Sequence, residues 1–238
     1  METLKDKCVL LTGATGGIGS KLLPLLYHAG ARVFITGRNQ EKLLALAATI
    51  KLPAQQIFVA DISKPEAVSA LQHAYFSVFE NIDIVINAAG IGIIKPVEQL
   101  LLDEFVKCIE CNLLAPFLLM QAFLTAMKQN KKGLIINIPG VLGKVPMAGA
   151  AAYSASKFGL VGMMQSIREE VKRTEIRITN LYLGGVISPF WDNIDLRVQK
   201  DKMMIAEEAA KAIWFLCQQP ASGVVSEMVL QPFNHQAI

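Results

Sequence analysis

The chain has 238 residues, of which 53% are hydrophobic and 18% are charged, and its formal net charge is +3. Charged residues are scarcer than the roughly 25% of an average soluble domain, so the chain can bury a large core and intrinsic disorder is excluded. A helix that spans a membrane needs about 20 mostly apolar residues. The longest uncharged run, residues 111–127, is shorter than that and contains Asn112, Pro116, Gln121 and Thr125. We therefore expect no membrane span.

The cysteines and the net charge bear on compartment and partners. The first residues run directly into an apolar segment and lack the features of a secretion signal. Cys8, Cys108, Cys111 and Cys217 are too few and too scattered for a disulfide framework. The pair 108/111 has C-x-x-C spacing but no second ligand pair, so we expect free thiols and no metal. The weak charge disfavours nucleic-acid binding, and these features together predict a cytoplasmic protein.

Strand-like apolar runs alternate with helical patterns along the whole chain. In chain order we predict a strand at residues 8–12, a helix at 17–28, a strand at 32–36, a helix at 40–50, a strand at 56–60, a helix at 65–79, a strand at 82–87, a long helix at 101–129 that bends at Pro116, a strand at 134–138, a helix at 152–172, a strand at 176–183, a helix at 207–218 and a strand at 227–230.

Several of these strands are continuous β-branched runs, which is typical of strands covered on both faces. Alternating strands and helices predict an α/β fold with a Rossmann-type, doubly wound parallel sheet flanked by helices. No linker or repeat interrupts the pattern, so we expect a single domain over residues 1–238. The longest irregular stretch, residues 184–205, is a candidate substrate lid.

A glycine-rich turn joins the first strand to the first helix. Glycines permit a tight turn and close approach of the backbone to a pyrophosphate, and the helix N-terminus offers free N–H groups and its dipole to the anion. Glycines also make ordinary turns, but the position between strand and helix favours dinucleotide binding. The residues predicted to bind are Thr12, Gly13, Thr15, Gly16, Gly17, Ile18 and Gly19.

Arg38 follows the second predicted strand, where an acidic residue would bind the ribose 2′-hydroxyl of NAD. The sequence there is Thr36-Gly37-Arg38-Asn39, without an acid. A guanidinium can pair with a 2′-phosphate, which favours NADP over NAD. The alternative is a solvated surface arginine.

Tyr153 and Lys157 are four residues apart and share one face of a predicted helix. A phenol with a pKa near 10 is a poor base at neutral pH. A nearby ammonium favours the phenolate, so we expect a lowered pKa for Tyr153. Such a pair can transfer a proton while a nicotinamide transfers a hydride.

These motifs, with Asp61, the run Asn87-Ala88-Ala89-Gly90 and Asn112, resemble the short-chain dehydrogenase/reductase family over nearly the whole chain. The resemblance implies that the glycine-rich turn binds pyrophosphate, that Asp61 and Ile62 lie at the adenine, and that residues 87–90 close over the cofactor. It also implies that Asn112 positions a water of the proton relay. Tyr153 would then be the general acid/base, and Lys157 would bind the nicotinamide ribose and tune the tyrosine.

Two motifs depart from the family pattern. The family's Asn-Ile-Ser-Ser-x-x-Gly reads here as residues 137–143, with Gly140 in place of the catalytic serine that contacts the substrate carbonyl. Losing one donor to a developing oxyanion can cost about 2.7–4 kcal/mol. A backbone N–H near Gly140, another hydroxyl or the substrate itself would have to replace it. In the loop that holds the nicotinamide carboxamide, Leu183 replaces proline and Ser188 replaces threonine, while Val186 is retained.

The lid segment and the helix ends bear on substrate and partners. Phe190 and Trp191, with the other apolar residues of 184–205, either contact a medium-sized apolar carbonyl or alcohol or only pack the lid onto the core. Apolar faces around 113–127 and 158–167 predict a homodimer or homotetramer, because the corresponding family helices pair between subunits. A basic group at two helix ends either holds an acidic acyl carrier, as in 3-oxoacyl-carrier reductases, or is merely solvated: Lys128, Lys131, Lys132, Lys172 and Arg173.

Two function hypotheses remain from the sequence. The first is an NADP(H)-dependent carbonyl reductase that also works as an alcohol dehydrogenase. The second is a degenerate family member that binds dinucleotide with little turnover, as a sensor or a structural subunit. Retention of Asn112, Tyr153 and Lys157 favours the first, and Gly140 favours the second.

Overall fold

The computed structural model describes residues 1–194, 199–220, 222–234 and 236. Its strands are β1 Cys8–Thr12, β2 Arg32–Gly37, β3 Ile57–Val59, β4 Ile84–Asn87, β5 Lys132–Asn137, β6 Glu175–Leu183, β7 Val186–Ile187, β8 Met204–Ile205 and β9 Glu227–Leu230. Its helices are α1 Gly17–His28, α2 Gln40–Thr49, α3 Pro65–Phe76, α4 Leu102–Ile109, α5 Ala115–Asn130, α6 Ala151–Val171 and α7 Ala206–Leu216.

Seven strands form one parallel sheet in the order β3-β2-β1-β4-β5-β6-β9. The predicted single Rossmann-type domain is confirmed. Strand order reverses between β1 and β4, so the connections that follow these two strands diverge and leave a crevice at their carboxyl ends. Thr12 ends β1 level with Thr36 on β2 and with Asn87 on β4.

Both faces of the sheet are covered, as the continuous apolar strands predict. Side chains alternate along β1, so that Val9 and Leu11 pack with α1, α2 and α7 while Leu10 packs with α3, α5 and α6. All three side chains are fully buried. Burial of one such side chain contributes about 1.5–3 kcal/mol relative to exposure, so the apolar excess of the composition lies largely in these two layers.

The predicted long helix contains a wider turn. The segment Glu110–Leu114 between α4 and α5 is π-helical, and the Ala115 N–H donates to the Glu110 carbonyl five residues back. Pro116 has no N–H and cannot donate to the Asn112 carbonyl four residues back, which disfavours the α-helical register here. The predicted irregularity thus lies one turn before Pro116.

The predicted lid is more regular than expected at its two ends. Val186–Ile187 pairs in parallel with Met204–Ile205, away from the main sheet. Between these strands, Pro189–Asn193 forms a 3-10 turn. Leu196, one of the apolar lid residues, lies outside the described residues.

One helical stretch among the described residues, Leu102–Asn130, is long and apolar enough to cross a membrane by length and composition alone. Much of its apolar side is covered by the sheet, because Leu119, Phe123 and Met127 belong to the core. A buried core helix passes the same test, so this is weak evidence for a span.

Candidate active site

A cavity of about 510 Å³ opens at the carboxyl ends of the central strands. It lies where the strand order reverses, the place at which open α/β sheets bind ligands. Of the predicted cofactor residues, the cavity is lined by Gly13, Thr15, Gly16, Arg38, Asp61, Ile62, Ala88, Ala89 and Gly90. The other predicted cofactor residues are not among those that line it: Thr12, Gly17, Ile18, Gly19, Asn87, Tyr153, Lys157, Val186 and Ser188.

The glycine-rich turn packs backbone against backbone. Gly13 has a φ of +64°, in the left-handed region that favours glycine. A Cβ atom at Gly13 would lie 2.6 Å from the Ala89 backbone nitrogen. The Thr12 hydroxyl donates to the Ile86 carbonyl and accepts from the Ala89 N–H. Gly16 precedes α1 and lines the cavity, so the positive end of the helix dipole faces this space.

Gly17 is the point at which the lid meets the turn. A Cβ atom at Gly17 would lie 2.4 Å from Ser188 Cβ and 3.2 Å from Pro189 Cδ. The sequence prediction assigned Gly17 to phosphate binding, and the structure adds a second requirement: no side chain fits between α1 and the lid. At Gly19 a Cβ atom would lie 2.3 Å from the Gly13 carbonyl oxygen, whereas Ile18 packs partly into the core.

Charged groups gather at the side of the cavity near β2 and β3. Asp61 Oδ1 accepts from the Ser63 N–H at 3.1 Å and from the Ser63 hydroxyl at 2.8 Å. Partial burial pushes the pKa of Asp61 up, but these hydrogen bonds and the positive charges of Arg38 and Lys64 outweigh it, so the pKa is lowered overall. Arg38 itself is exposed at the rim.

Sequence reasoning missed other residues of the cavity. Thr36 is fully buried, and within the described residues its hydroxyl has no hydrogen-bond partner. Lys64 Nζ lies 3.4 Å from Glu110 Oε1, so an ion pair joins the two walls. Thr36 lies level with Thr12, one residue before the end of β2, and its position near the end of the predicted strand was the available signal. Lys64 and Glu110 are 46 residues apart, and no local pattern links them.

Asn87 lies beneath the cavity and does not line it. Its Nδ2 donates to Asn137 Oδ1 at 2.7 Å, and Asn137 Nδ2 donates to Asn180 Oδ1 at 3.3 Å. The three residues end up level on β4, β5 and β6. This buried amide row ties β4, β5 and β6 together near their carboxyl ends.

Asn112 is buried in the π-helical segment, and its side chain is fully engaged. Its Oδ1 accepts from the Ile91 N–H at 2.9 Å. Its Nδ2 lies within 2.9–3.3 Å of the Ile91 carbonyl, the Ser156 hydroxyl and Cys108 Sγ. The amide therefore connects the loop after β4 to α6.

Tyr153 and Lys157 lie one turn apart on α6, as predicted. Lys157 is buried, its Nζ donates to the Ile138 carbonyl at 3.0 Å, and it lies 5.6 Å from the centre of the Tyr153 ring. A Cβ atom at Gly90 would lie 3.1 Å from Asn112 Oδ1 and 3.5 Å from Lys157 Nζ. Tyr153, Lys157 and Asn112 are thus brought together at the ends of β4 and β5.

Burial dominates the pKa of both groups on α6. It raises the pKa of Tyr153, and the nearby Cys108 adds to this effect. It lowers the pKa of Lys157 to about 8. The predicted lowering of the tyrosine pKa is therefore wrong in this structure, because desolvation disfavours the phenolate while the Lys157 ammonium is directed at the Ile138 carbonyl. Tyr153 is a neutral phenol, which suits a proton donor.

Gly140 faces the Tyr153 hydroxyl. A Cβ atom there would lie 3.7 Å from Tyr153 Oη and 3.4 Å from the Leu183 carbonyl oxygen, and no other described residue beyond its chain neighbours has a heavy atom within 4 Å. The backbone of Gly140 has φ +68° and ψ 172°, a region that L side chains rarely adopt. The chain here is shaped for glycine.

The lid segment places Phe190 beside Tyr153. The Phe190 ring centre is 5.7 Å from that of Tyr153 and 5.2 Å from that of Trp191. Trp191 Nε1 donates to the Val186 carbonyl at 2.8 Å. Val186 and Ile194 are buried, so part of the lid's apolar content does pack the lid onto the protein.

The basic group defined above lies at the amino ends of the strands, opposite the site. Lys132 begins β5 level with Glu175 at the start of β6, whereas the site is at the strands' carboxyl ends. Lys128 pairs with Glu170 at 3.3 Å and Lys172 pairs with Glu169 at 2.7 Å.

All four cysteines are free thiols, as predicted. Cys111 lines the cavity, and Cys108 is buried beside Asn112. Burial raises the pKa of both thiols, which makes them weak nucleophiles.

A model of the short chain dehydrogenase family matches residues 7–198. The chain belongs to the short-chain dehydrogenase family. An uncharacterised oxidoreductase of Staphylococcus epidermidis is 28% identical to it over 232 residues, which cover 98% of this chain and all of that relative. An uncharacterised oxidoreductase of Staphylococcus saprophyticus is 29% identical over 241 residues and 98% of each chain.

Several solved structures are similar to this chain over nearly their full length. A metagenomic short-chain oxidoreductase in complex with NADP has a TM-score of 0.83 and 31% identity, covering 97% of this chain and 99% of that one. Serine dehydrogenase from Escherichia coli has a TM-score of 0.84 and 25% identity, covering 96% and 99%. An alcohol dehydrogenase of Thermococcus sibiricus, at 0.88 and 24%, covers 98% and 100% and supports the fold. The protein is thus an oxidoreductase of the short-chain dehydrogenase type.

Proposed function

We propose that the protein is an NADP(H)-dependent oxidoreductase that transfers a hydride between the nicotinamide and a medium-sized, largely apolar carbonyl or alcohol. The observation that carries the proposal is the meeting of Tyr153, Lys157 and Asn112 beside Gly90 and Gly140. A neutral phenol, a buried amine and two glycines that leave room next to them suit proton transfer to a bound carbonyl.

The residues of the cavity fit a dinucleotide. The N-terminus of α1 offers amides to a pyrophosphate, and the buried Thr36 hydroxyl, unpartnered within the described residues, lies at the cavity wall. When bound, the nicotinamide would supply or accept the hydride. Val186 and Ser188 are assigned to the carboxamide end, on the lid segment that contacts Gly17.

Arg38 is assigned to the 2′-phosphate of NADP. It lines the cavity beside Asp61, with no acid at the end of β2 to bind a ribose hydroxyl. The NADP named for the metagenomic relative agrees with this choice. If Arg38 were only a solvated surface arginine, it would not favour the binding of NADP over that of NAD.

Tyr153 is assigned the proton. In carbonyl reduction its hydroxyl donates to the carbonyl oxygen, and in alcohol oxidation the phenolate takes the proton back. The Lys157 ammonium stabilises that phenolate, so its charge matters most after the proton has moved. Pro116 offers no N–H to the Asn112 carbonyl, and we assign Asn112 the water that returns the proton.

Carbonyl polarisation is the weak point of this mechanism. Gly140 offers no hydroxyl, and one missing donor can cost about 10²–10³ in rate. A backbone N–H near Gly140, another hydroxyl or a donor on the substrate would take its place. Gly140 also favours the second candidate function, a family member that binds dinucleotide with little turnover.

The test is a panel of ketones and alcohols with NADPH and NADP. We expect Tyr153→Phe to lower turnover by about 10²–10⁴-fold, a far larger loss than any change in dinucleotide affinity measured by fluorescence titration. The control Tyr27→Phe removes a phenol hydroxyl from α1 and should keep full activity. Dinucleotide binding without turnover of any compound would favour the second candidate. Turnover that survives Tyr153→Phe would contradict the role of the tyrosine.

For partners, we propose a homodimer or homotetramer through the face of α5 and α6. Phe117 and Phe158 on these helices are 39% and 44% exposed, and large exposed apolar side chains are candidates for burial at an interface. In analytical ultracentrifugation we expect Phe158→Glu to sediment as a smaller assembly than wild type. Phe215→Glu, an exposed ring on α7, controls for the added charge. A wild-type monomer at micromolar concentration would contradict the proposal.

Nothing in the geometry supports the narrower choice of a 3-oxoacyl-carrier reductase. The basic group lies at the amino ends of β5 and β6, opposite the site, and part of it is already paired with glutamates. Cations at helix C-termini are favoured by the dipole without any partner.

A further inference from the structure

Phe190 stands beside Tyr153 with its ring tip directed at Gly92. A Cβ atom at Gly92 would lie 2.2 Å from Phe190 Cζ and 2.9 Å from both Cε atoms. Gly92 does not have a positive φ, so its backbone conformation does not itself require glycine. The three atoms nearest to that position all belong to the Phe190 ring, so this ring excludes a side chain at Gly92 and the two residues form a matched pair.

The ring is held in this place by its neighbours in the lid. Trp191 packs edge-on against it and donates its indole N–H to the Val186 carbonyl. Ser188 and Pro189 rest on Gly17 at the start of α1. Phe190 is therefore tied on one side to the cofactor turn and on the other to the loop after β4.

The surroundings of Tyr153 differ between Gly140 and Phe190. Among the described residues, apart from its chain neighbours, an added Cβ atom at Gly140 would meet only the Leu183 carbonyl oxygen and the Tyr153 hydroxyl within 4 Å. The Phe190 ring, by contrast, lies 5.7 Å from the Tyr153 ring, centre to centre. A carbonyl at Tyr153 would therefore meet few atoms beside Gly140 and a bulky ring at Phe190.

We propose that Phe190 is a specificity-determining residue that restricts one substituent of the reacting carbonyl to a small group. The substrate class that follows is aldehydes and methyl ketones whose other substituent is large and apolar. This inference rests on the proposed function, because it concerns the carbonyl that Tyr153 would protonate.

The experiment compares two isomeric ketones of equal atom count, 2-octanone and 4-octanone. We expect wild type to prefer the methyl ketone in kcat/KM by at least about 10-fold, the range that steric discrimination of one or two methylenes gives. Phe190→Ala should bring the ratio close to one, mainly by raising kcat/KM for 4-octanone. Phe215→Ala, which truncates an exposed ring on α7, should leave the ratio at its wild-type value.

The pairing with Gly92 is tested without turnover. An added methyl there overpacks the ring, so Gly92→Ala should lower the melting temperature by about 3 °C or more. In a Phe190→Ala background the same change should cost almost nothing. Gly223→Ala, whose added Cβ atom would lie at an ordinary contact distance of 3.4 Å from Pro220 Cγ, is the matched control for adding a methyl group to a glycine.

The outcomes separate this inference from the proposed function. Turnover of both octanones that requires Tyr153, with a ratio unchanged by Phe190→Ala, overturns the inference and leaves the function standing. A Gly92→Ala cost that persists without Phe190 also overturns it, because the contact would not exist. Absence of turnover with every carbonyl overturns the proposed function and this inference with it.

Discussion

The cavity near β2 and the region around Tyr153 are built differently. The cavity is open space of about 510 Å³ whose walls are mostly backbone, short side chains and charged groups at the rim. The region around Tyr153 is partly filled by Phe190 and by the buried amine of Lys157. The cavity near β2 is open to a ligand, whereas the Phe190 side chain occupies part of the region around Tyr153.

The difference follows from what each half is made of. Strand ends, the glycine-rich turn and a helix N-terminus create the first half, and these are features of local backbone. The second half needs α6, the loop after β4, the loop after β5 and the lid to meet. The loop after β4 serves both halves, because Ala88, Ala89 and Gly90 line the cavity. A change in α6 or in the loop after β5, neither of which lines the cavity, would alter the second half and leave the first intact.

The comparison is tested most strongly at Arg38. If the open half is built for a 2′-phosphate, Arg38→Ala should weaken NADPH binding by about 10–150-fold, the loss of a charge-assisted pair. Binding of NADH should change little. Fluorescence titration measures both, with Arg173→Ala at the opposite edge of the sheet as the control. Equal loss for the two dinucleotides, or none, would mean that this half does not read the phosphate.

Gly140 tests whether the second half could be returned to the family pattern by one substitution. Gly140→Ser should cost about 1–3 kcal/mol, because φ +68° is strained for any L side chain. Gly140→Ala should cost nearly the same, since the cost comes from the backbone and not from the hydroxyl. Thermal unfolding measures both, with Gly223→Ala as the control. A serine variant that is more stable and more active than wild type would show that the backbone there is not shaped for glycine.

The smallest expected effect is the change in the stability contribution of Lys157 with pH. Its pKa is about 8 in the folded protein against an ordinary 10.5, so between pH 8 and 10 the folded state holds fewer protons than the unfolded state. The penalty of burying the charge is fully present below pH 8 and is relieved as pH rises. Wild type should therefore gain on the order of 1–2 kcal/mol over Lys157→Met across this window. Denaturant unfolding at several pH values measures the gain, with Lys211→Met as the control. A constant difference would contradict the lowered pKa.

Much of the fold could be predicted because its signals are local. Continuous β-branched runs indicated strands covered on both faces, and the turn between β1 and α1 indicated the crevice. The predictions failed where distant segments decide the structure. Val186 pairs with Met204 across the lid, and the helix around Asn112 widens where Pro116 removes a donor, details that periodicity does not carry.

The candidate site divides in the same way. Tyr153 and Lys157 followed from helical spacing, since residues four apart share a face. The direction in which the Tyr153 pKa shifts could not be predicted from spacing, because it depends on burial by several elements. Likewise the φ of Gly140 and the contact between Phe190 and Gly92 exist only in three dimensions. The sequence showed that Gly140 lacks a hydroxyl, and the structure shows that its backbone would resist one.

The short parallel pair of β7 and β8 has a consequence for how this protein could diversify. Val186–Ile187 and Met204–Ile205 pair with each other and not with the main sheet. The two ends of the lid are therefore held together by this pairing. Each doubling of a flexible loop's length costs only about 0.6 kcal/mol in closure entropy. Insertions or exchanges between the two strands would thus add little to the free-energy cost of folding the rest of the chain. The segment between β7 and β8 is therefore a suitable place for changes that alter the substrate range.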